Sequence, residues 1–211
     1  MQRSRKSVSV SIITPAFNEY DNLERLCEAI VSALEPTVPD FDILVVDNGS
    51  TDGSKQLLAA LREKDPRIGF VSLSRNFGHQ GGLIAGLEYS RGDLVISMDA
   101  DFQHPPTVLV ELIEKWEEGF DIVGTKRNST EGTGVIRNAV NRVYYSFLSR
   151  LMGNAVDPGQ SDFRLMDRRA LTALLALPEQ NKFIRGLAAW VGFKQAVAER
   201  DSGDPIQGIK N

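Results

Sequence analysis

The first 124 residues alternate between short apolar runs and segments in which apolar residues recur every three or four positions. Short apolar runs predict buried strands, and the three-to-four spacing predicts helices that bury one face. The predicted strands are residues 8–14, 41–46, 68–73, 94–98 and 121–124. The predicted helices are residues 23–34, 55–63, 83–89 and 106–118. Because strands and helices alternate, we expect a mostly parallel sheet with right-handed crossovers.

Three of the predicted strands end in polar loops that contain carboxylates. Glu19 follows the first strand, Asp47 the second, and Asp99 and Asp101 the fourth. The carboxyl ends of parallel strands meet at one edge of the sheet, where open α/β sheets bind ligands. Residues two apart in an extended chain point to the same side, so Asp99 and Asp101 are expected to converge.

Two converging carboxylates repel each other unless a cation lies between them. Mg²⁺ or Mn²⁺ bound to phosphate oxygens needs only one or two protein carboxylates. Asp99 and Asp101 therefore indicate a metal site for a nucleotide diphosphate. The alternative is a solvated acidic loop that caps the next helix, because D-x-D is a short and common pattern.

The glycine-rich segment 78–82 is predicted to be a loop before the third helix. It has neither the G-x-G-x-x-G pattern of a dinucleotide-binding fold nor the Gly-Lys-Ser/Thr ending of a Walker loop, which argues against those classes. His79 and His104 have no His or Cys partner at ligand spacing, so we interpret both as loop hydrogen-bonding residues.

After residue 125 the pattern changes. Residues 126–134 contain no apolar residue and resemble a lid or acceptor loop. Residues 136–151 are predicted to be a basic amphipathic helix that either packs on the core or lies in a membrane interface. Residues 161–166 are predicted to be a short strand and residues 168–177 a helix. The segment 182–193 combines basic and aromatic residues, which suits a membrane surface or an ordinary core helix.

Composition and charge narrow the function classes. With 42% hydrophobic and 25% charged residues, the chain has the composition of a soluble globular protein. Cys27 is the single cysteine, which excludes an internal disulfide and favours a reducing compartment. Residues 1–121 have 11 Lys/Arg and 20 Asp/Glu, whereas residues 122–200 have 12 and 6. The basic second half suggests an anionic partner such as phosphate or lipid headgroups.

No segment has the roughly 18 consecutive apolar residues of a membrane span, and the N-terminus lacks the cleavage pattern of a signal peptide. We therefore expect no transmembrane span in this chain.

Seven segments carry a more specific pattern: PAFNE (15–19), VVDNGSTDGS (45–54), SRNFGHQGGLIAGL (74–87), GDLVISMDADFQHPP (92–106), GTKR (124–127), SDFRLMDR (161–168) and KFIRGLAAWVGF (182–193). Together they resemble the family-2 glycosyltransferases of GT-A fold, in the branch of polyprenyl-phosphate glycosyltransferases related to dolichyl-phosphate mannose synthase. The resemblance implies a single Rossmann-like, mostly parallel sheet flanked by helices. It also implies a catalytic domain over residues 1–200, with an acceptor- or membrane-facing part at 125–200 and a polar tail at 201–211.

The same resemblance implies roles for individual residues. Those expected to hold the nucleotide sugar are Pro15, Phe17, Glu19, Asp47, Asp99 and Arg127. Those expected to hold Mg²⁺ or Mn²⁺ are Asp99, Asp101 and Gln103. Asp162 occupies the position of the catalytic carboxylate, and Arg137 and Arg164 are candidates for gripping the acceptor phosphate. The implied metal stabilises the leaving nucleotide diphosphate.

The implied function is inverting transfer of a sugar from a nucleotide diphosphate, with UDP favoured, to polyprenyl phosphate at the cytoplasmic face of a membrane. GDP-mannose as donor, a saccharide hydroxyl as acceptor, and a sugar-nucleotide-binding module without turnover remain alternatives. We expect no nucleic-acid partner, and a homo-oligomer is left open. Members of this branch commonly continue into two transmembrane helices, whereas residues 201–211 are polar. Either the protein is peripheral or its hydrophobic part lies outside this chain.

Overall fold

The computed structural model describes residues 3–101, 105–127, 160–179 and 182–200. The strands are β1 (Val10–Ala16), β2 (Phe41–Asp47), β3 (Ile68–Ser72), β4 (Leu94–Ser97), β5 (Ile122–Arg127), β6 (Gln160–Asp167) and β7 (Gln195–Arg200). The helices are α1 (Tyr20–Leu34), α2 (Ser54–Lys64), α3 (Gly78–Tyr89), α4 (Val108–Glu117), α5 (Arg168–Leu175) and α6 (Ile184–Trp190), after a short 3₁₀ turn at Arg5–Ser7.

These strands form one sheet in the order β3-β2-β1-β4-β6-β5-β7. Strands β1 to β4 pair in parallel, and β5 pairs in parallel with β7. The predicted mostly parallel sheet is therefore confirmed. Because β1, β2 and β4 run in the same direction, their carboxyl ends lie at one edge.

Strand β6 departs from the parallel pattern, since it lies between β4 and β5 and is antiparallel to both. Leu165 of β6 faces Ile96 of β4 on one side and Val123 of β5 on the other. The sequence predicts a strand at 161–166 but not its direction or its central place. Asp162 and Arg164 of β6 are charged and buried. Central strands usually carry apolar residues at buried positions, so the local sequence pattern does not predict a central strand here.

Helix α3 begins at Gly78, which corrects the prediction of a loop over residues 78–82. The glycines of this segment allow the helix to lie directly on the sheet. A Cβ at Gly86 would be 2.1 Å from Cγ2 of Ile13, and a Cβ at Gly82 would be 3.2 Å from Cβ of Pro15. The close approach places the first turn of α3 beside the carboxyl end of β1.

Two apolar layers hold the helices on the sheet. On one face, Ile12 and Ile96 pack with residues of α1, α2 and α4. On the other face, Ile13 and Val95 pack with residues of α3, α5 and α6. The result is a three-layer arrangement of helices, sheet and helices, as the alternation of elements predicts. Over the described ranges, no helix is long and apolar enough to cross a bilayer.

The N-terminal residues pack against the end of α4. Arg3 donates to the backbone oxygens of Trp116 and Phe120 and pairs with Asp121. Arg5 contacts Glu117 through its backbone N–H at 2.7 Å and its Nε at 3.0 Å. This basic segment therefore ties the start of the chain to the α4–β5 connection.

Candidate active site

A cleft of about 250 Å³ opens at the carboxyl ends of β1 and β4. It is lined by Pro15, Ala16, Phe17, Glu19, Asn48, Asn76, Gly78, His79, Asp99, Ala100 and Asp101. Five of the predicted site residues thus share one cleft: Pro15, Phe17, Glu19, Asp99 and Asp101. The chain brings them together because the loops after β1 and β4 end at the same edge of the sheet.

Asp47 is placed differently, since it is only 2% exposed. Its Oδ1 accepts from the backbone N–H of Ser50 at 2.9 Å, and its Oδ2 accepts from the Ser72 hydroxyl at 3.1 Å. The next residue, Asn48, lines the cleft. In this arrangement Asp47 organises the loop behind the wall, and its contact with a nucleobase stays a prediction.

The loops after β1 and β2 are joined through Asn18. Its backbone N–H donates to the hydroxyl of Ser50 at 3.0 Å, and its Oδ1 accepts from the N–H of Thr51 at 2.9 Å. A third bond runs from the N–H of Tyr20 to Asp52 at 3.0 Å. These bonds hold the segment that carries Phe17 and Glu19 on the wall of the cleft.

Asp162 on β6 is surrounded by donors from two helices. Arg185 of α6 binds both carboxylate oxygens, with Nε–Oδ1 at 2.7 Å and Nη2–Oδ2 at 2.9 Å. Gln80 of α3 donates to Oδ2 at 3.1 Å, and His79 Nε2 lies 3.3 Å from the same oxygen. His79 Nε2 is also 3.7 Å from Oδ1 of Asp99, so it stands between the cleft and Asp162.

The donors around Asp162 fix its charge. Burial alone raises the pKa of this carboxyl, but the hydrogen bonds from His79 and Arg185, with the charges of Arg185 and Arg164, outweigh burial and hold the pKa well below its usual range. The hydrogen bond to Asp162 likewise raises the pKa of His79, against the opposing effect of burial. Asp162 is therefore a firmly ionised carboxylate.

Arg164 lies beside Asp162 on the same strand and is 1% exposed. Its Nη2 donates to the backbone oxygen of Ser161 at 3.1 Å, whereas its Nε is buried without a hydrogen-bond partner. Burial lowers the pKa of this guanidinium to about 10, so it is still charged at neutral pH. In this position it acts on Asp162 through its charge, and direct contact with an acceptor phosphate stays a prediction.

The cleft provides hard oxygen ligands for a divalent ion. Asp99 and Asp101 both line it. In the part of the chain that the structure describes, no group of three or more His, Cys, Asp or Glu residues is arranged to hold a metal. Two carboxylates are enough for an ion whose other ligands are water and substrate phosphate. The residues present therefore fit Mg²⁺ or Mn²⁺ that binds together with a nucleotide diphosphate.

Several predictions fall where the structure gives no side chain. Gln103, Arg137, the segments 128–134 and 136–151 and the tail 201–211 lie outside the described residues. Arg127 is the last residue of β5, and its contact with phosphate stays a prediction.

Three residues of the Asp162 cluster were not predicted from the sequence. The sequence predicts only a loop hydrogen-bonding role for His79 and gives no local signal for Gln80. Arg185 falls in a segment for which the sequence predicts only a basic and aromatic surface or a core helix. A charged residue within the mainly apolar helix α6 is a signal that points to a buried partner, since burying an unpaired charge is costly.

Comparison with known proteins agrees with this geometry. The profile of glycosyl transferase family 2 matches residues 11–175. A glycosyltransferase of Synechocystis sp. strain PCC 6803 is 38% identical over 202 residues, which cover 96% of this chain and 64% of the relative. The bactoprenol glucosyl transferase of Shigella phage SfV is 31% identical over 202 residues, 96% of this chain and 66% of the relative. The chain thus spans slightly less than two thirds of these two relatives.

Among solved structures, glucosyl-3-phosphoglycerate synthase from Mycobacterium tuberculosis, in complex with Mn²⁺, UDP and phosphoglyceric acid, matches with a TM-score of 0.65 and 20% identity. The match covers 92% of this chain and 69% of that chain, and it confirms the expected GT-A fold. With the profile covering most of the sequence, the chain belongs to glycosyl transferase family 2.

Proposed function

We propose that this chain is the catalytic domain of an inverting glycosyltransferase that moves a hexose-type sugar from UDP to polyprenyl phosphate at the cytoplasmic face of a membrane. The observation that carries the proposal is the position of His79, 3.7 Å from Asp99 in the cleft and 3.3 Å from Asp162 on β6. The candidate donor site and the candidate catalytic carboxylate therefore adjoin. The phage relative named for bactoprenol supports the acceptor, and the neighbour that holds UDP and Mn²⁺ supports the donor and the ion.

The environment of Asp162 favours a phosphate acceptor over a hydroxyl. A hydroxyl needs a general base whose pKa is near the working pH. The pKa of Asp162 is far below that range, and hydrogen bonds already occupy both of its oxygens. A phosphate monoester carries an anionic oxygen at neutral pH and needs no base. Asp162 is then a positioning group, which holds Arg185 and His79 beside the reacting atoms.

In the proposed reaction, an oxygen of the acceptor phosphate forms a bond to the anomeric carbon of the sugar. The bond between that carbon and the nucleotide diphosphate breaks, the electron pair leaves with the diphosphate, and the configuration inverts. No proton has to move. Arg185, held in place by two bonds to Asp162, supplies a fixed positive charge that attracts phosphate oxygens. An Mg²⁺ or Mn²⁺ ion held by Asp99 and Asp101 would neutralise charge on the leaving diphosphate.

Helix α6 supports the membrane surface as the site of action. Phe183, at its N-terminal cap, is 41% exposed and Trp190 is 55% exposed. They are seven residues apart and so lie on the same side of the helix. The same helix carries Arg185 to Asp162. Binding of lipid to these two side chains would hold the helix that carries Arg185 at the membrane surface.

The test is sugar transfer to polyprenyl phosphate in liposomes, with Mn²⁺ and either UDP-glucose or GDP-mannose as donor. We expect lipid-linked sugar from UDP-glucose, and co-flotation of the protein with the liposomes. Asp162→Asn should reduce transfer by about 100-fold, because it removes charge that holds Arg185, while donor affinity changes little.

Three results would contradict the proposal in different ways. Transfer from GDP-mannose and not from UDP-glucose would refute UDP-sugar as the donor and favour GDP-mannose. Transfer to a saccharide hydroxyl would refute the phosphate acceptor. Donor binding without transfer to any polyprenyl phosphate would favour a non-catalytic sugar-nucleotide-binding module.

A further inference from the structure

Asn48 connects the loop after β2 to the start of α3. It follows Asp47 directly and is 3% exposed. Its Nδ2 donates to Oδ1 of Asn76 at 3.2 Å and to the backbone oxygen of Gly78 at 3.0 Å, and its Oδ1 accepts from the N–H of Phe77 at 3.0 Å. One buried amide thus binds three consecutive residues that lead into α3.

The neighbouring residue brings the two loops into contact. Gly49 has a φ of 77°, and a Cβ there would lie 2.5 Å from the backbone carbon of Arg75. The loops after β2 and β3 therefore pack backbone against backbone at this point. The hydrogen bonds of Asn48 are directional, so they fix the orientation of residues 76–78 relative to the loop after β2.

The first turn of α3 depends on these bonds. Phe77 is the N-cap residue and makes no side-chain hydrogen bond to the helix. The next two residues after Gly78 are His79 and Gln80, which reach Asp162. A shift of residues 76–78 would move both side chains away from the carboxylate.

We infer that Asn48 is a positioning residue for sugar transfer: it sets the first turn of α3 so that His79 and Gln80 meet Asp162. This inference rests on the proposed function. Asn48 itself belongs to the wall of the cleft and acts on Asp162 only through α3.

The experiment compares Asn48→Leu and Asn48→Ala with Thr51→Ala as a matched control. Leu has the same number and branching of side-chain heavy atoms as Asn but leaves the N–H of Phe77 and the oxygen of Gly78 without partners, whereas Ala leaves room for water from the cleft. Thr51 lies in the same loop, and its hydroxyl contacts Asn18 instead of the residues before α3.

Three quantities are measured: amide hydrogen exchange, donor affinity and kcat. We expect faster exchange in residues 77–82 of the Asn48 variants and unchanged exchange in α2. We expect kcat to fall at least tenfold in Asn48→Leu and less in Asn48→Ala, with donor affinity falling by a smaller factor than kcat because Asn48 also lines the cleft. Thr51→Ala should leave the exchange of residues 77–82 as it is in the unmodified protein.

A double mutant tests whether Asn48 acts through Gln80. If it does, the loss of kcat in Asn48→Ala combined with Gln80→Ala is smaller than the product of the two single losses. Independent losses, a change in donor affinity alone, or faster exchange throughout the protein would overturn the inference.

The exchange measurement separates this inference from the proposed function. If the unmodified protein transfers no sugar, the proposed function fails, but local loosening of residues 77–82 in Asn48→Ala still supports the role of Asn48 in placing α3. Unchanged exchange in that segment overturns the role.

Discussion

Asn18 shows how one residue can serve both the backbone and the side chain of a loop. Among the described residues, it is the non-glycine residue with a positive φ, at 57°. Asn adopts this left-handed conformation more readily than most residues because its short polar side chain can bond locally. Its amide oxygen also accepts from the N–H of Thr51.

The two roles of Asn18 can be separated by substitution. Asn18→Gly keeps the left-handed turn but loses the amide, whereas Asn18→Ala loses the amide and strains the backbone. We expect unfolding free energy to fall in both variants, with Ala lower than Gly by about 1–2 kcal/mol. Urea denaturation measures the difference, and titration with UDP should show weaker binding in both. Equal stability of the two variants would mean that the turn is not retained.

At the scale of residues, the sequence predicts contacts between residues that are close in the chain but not contacts between residues that are far apart in it. Asp99 and Asp101 were predicted to converge because two residues of one loop carry the pattern, and both line the cleft. The partners of Asp162 come from 82 residues before it and 23 residues after it. Such a meeting depends on how α3 and α6 lie on the sheet, which local spacing does not encode.

At the scale of elements, the predictions succeeded where periodicity is strong. The strands and helices up to β5 were placed to within a few residues, except for α3, whose glycines were interpreted as a loop. Periodicity and glycine count cannot show that Gly82 and Gly86 face a sheet. The sequence also does not predict the antiparallel direction of β6, because that direction depends on long-range pairing with β4 and β5.

The contact between the N-terminal segment and α4 gives a pH-dependent stability. The hydrogen bond from Arg5, against the opposing effect of burial, lowers the pKa of Glu117. A lowered pKa means that the stabilisation is complete above the unfolded value of about 4.3 and is lost as the pH falls through the folded value. Glu117→Gln should therefore cost about 0.5–1 kcal/mol of unfolding free energy at pH 7.

Urea denaturation from pH 7 to about pH 3 checks this expectation, because the difference between Glu117→Gln and the unmodified protein should vanish at the acidic end. Glu114→Gln is the matched control, since Glu114 is on the same helix but more exposed and 3.4 Å from Arg5. A constant difference across the pH range would show that the charge of Glu117 is not its cause.

At the scale of the whole molecule, a bound donor should stabilise the fold only when a divalent ion accompanies it. Ligand at 100 times its Kd adds about 2.7 kcal/mol, which corresponds to roughly 5–10 °C in Tm for a domain of this size. We expect this shift with UDP and Mn²⁺ and its loss with EDTA. Asp101→Asn should abolish the Mn²⁺-dependent rise in Tm with UDP while leaving the Tm without ligand nearly unchanged.

Asp40→Asn is the matched control for removing one carboxylate, because Asp40 is exposed and directly precedes β2, at the edge of the sheet opposite the cleft; it should keep the Mn²⁺-dependent shift. An equal shift in Asp101→Asn and the unmodified protein would remove Asp101 from the metal site. A shift with GDP and none with UDP would reassign the nucleotide.

The central position of β6 has a consequence for biosynthesis. While the ribosome is still making the chain, β4 and β5 have no neighbour between them until residues 160–167 emerge, and bare strand edges promote aggregation. The strand that fills this gap also delivers Asp162. We therefore expect the nascent protein to need protection late in translation, and to gain Asp162 in the same step that fills the gap between β4 and β5.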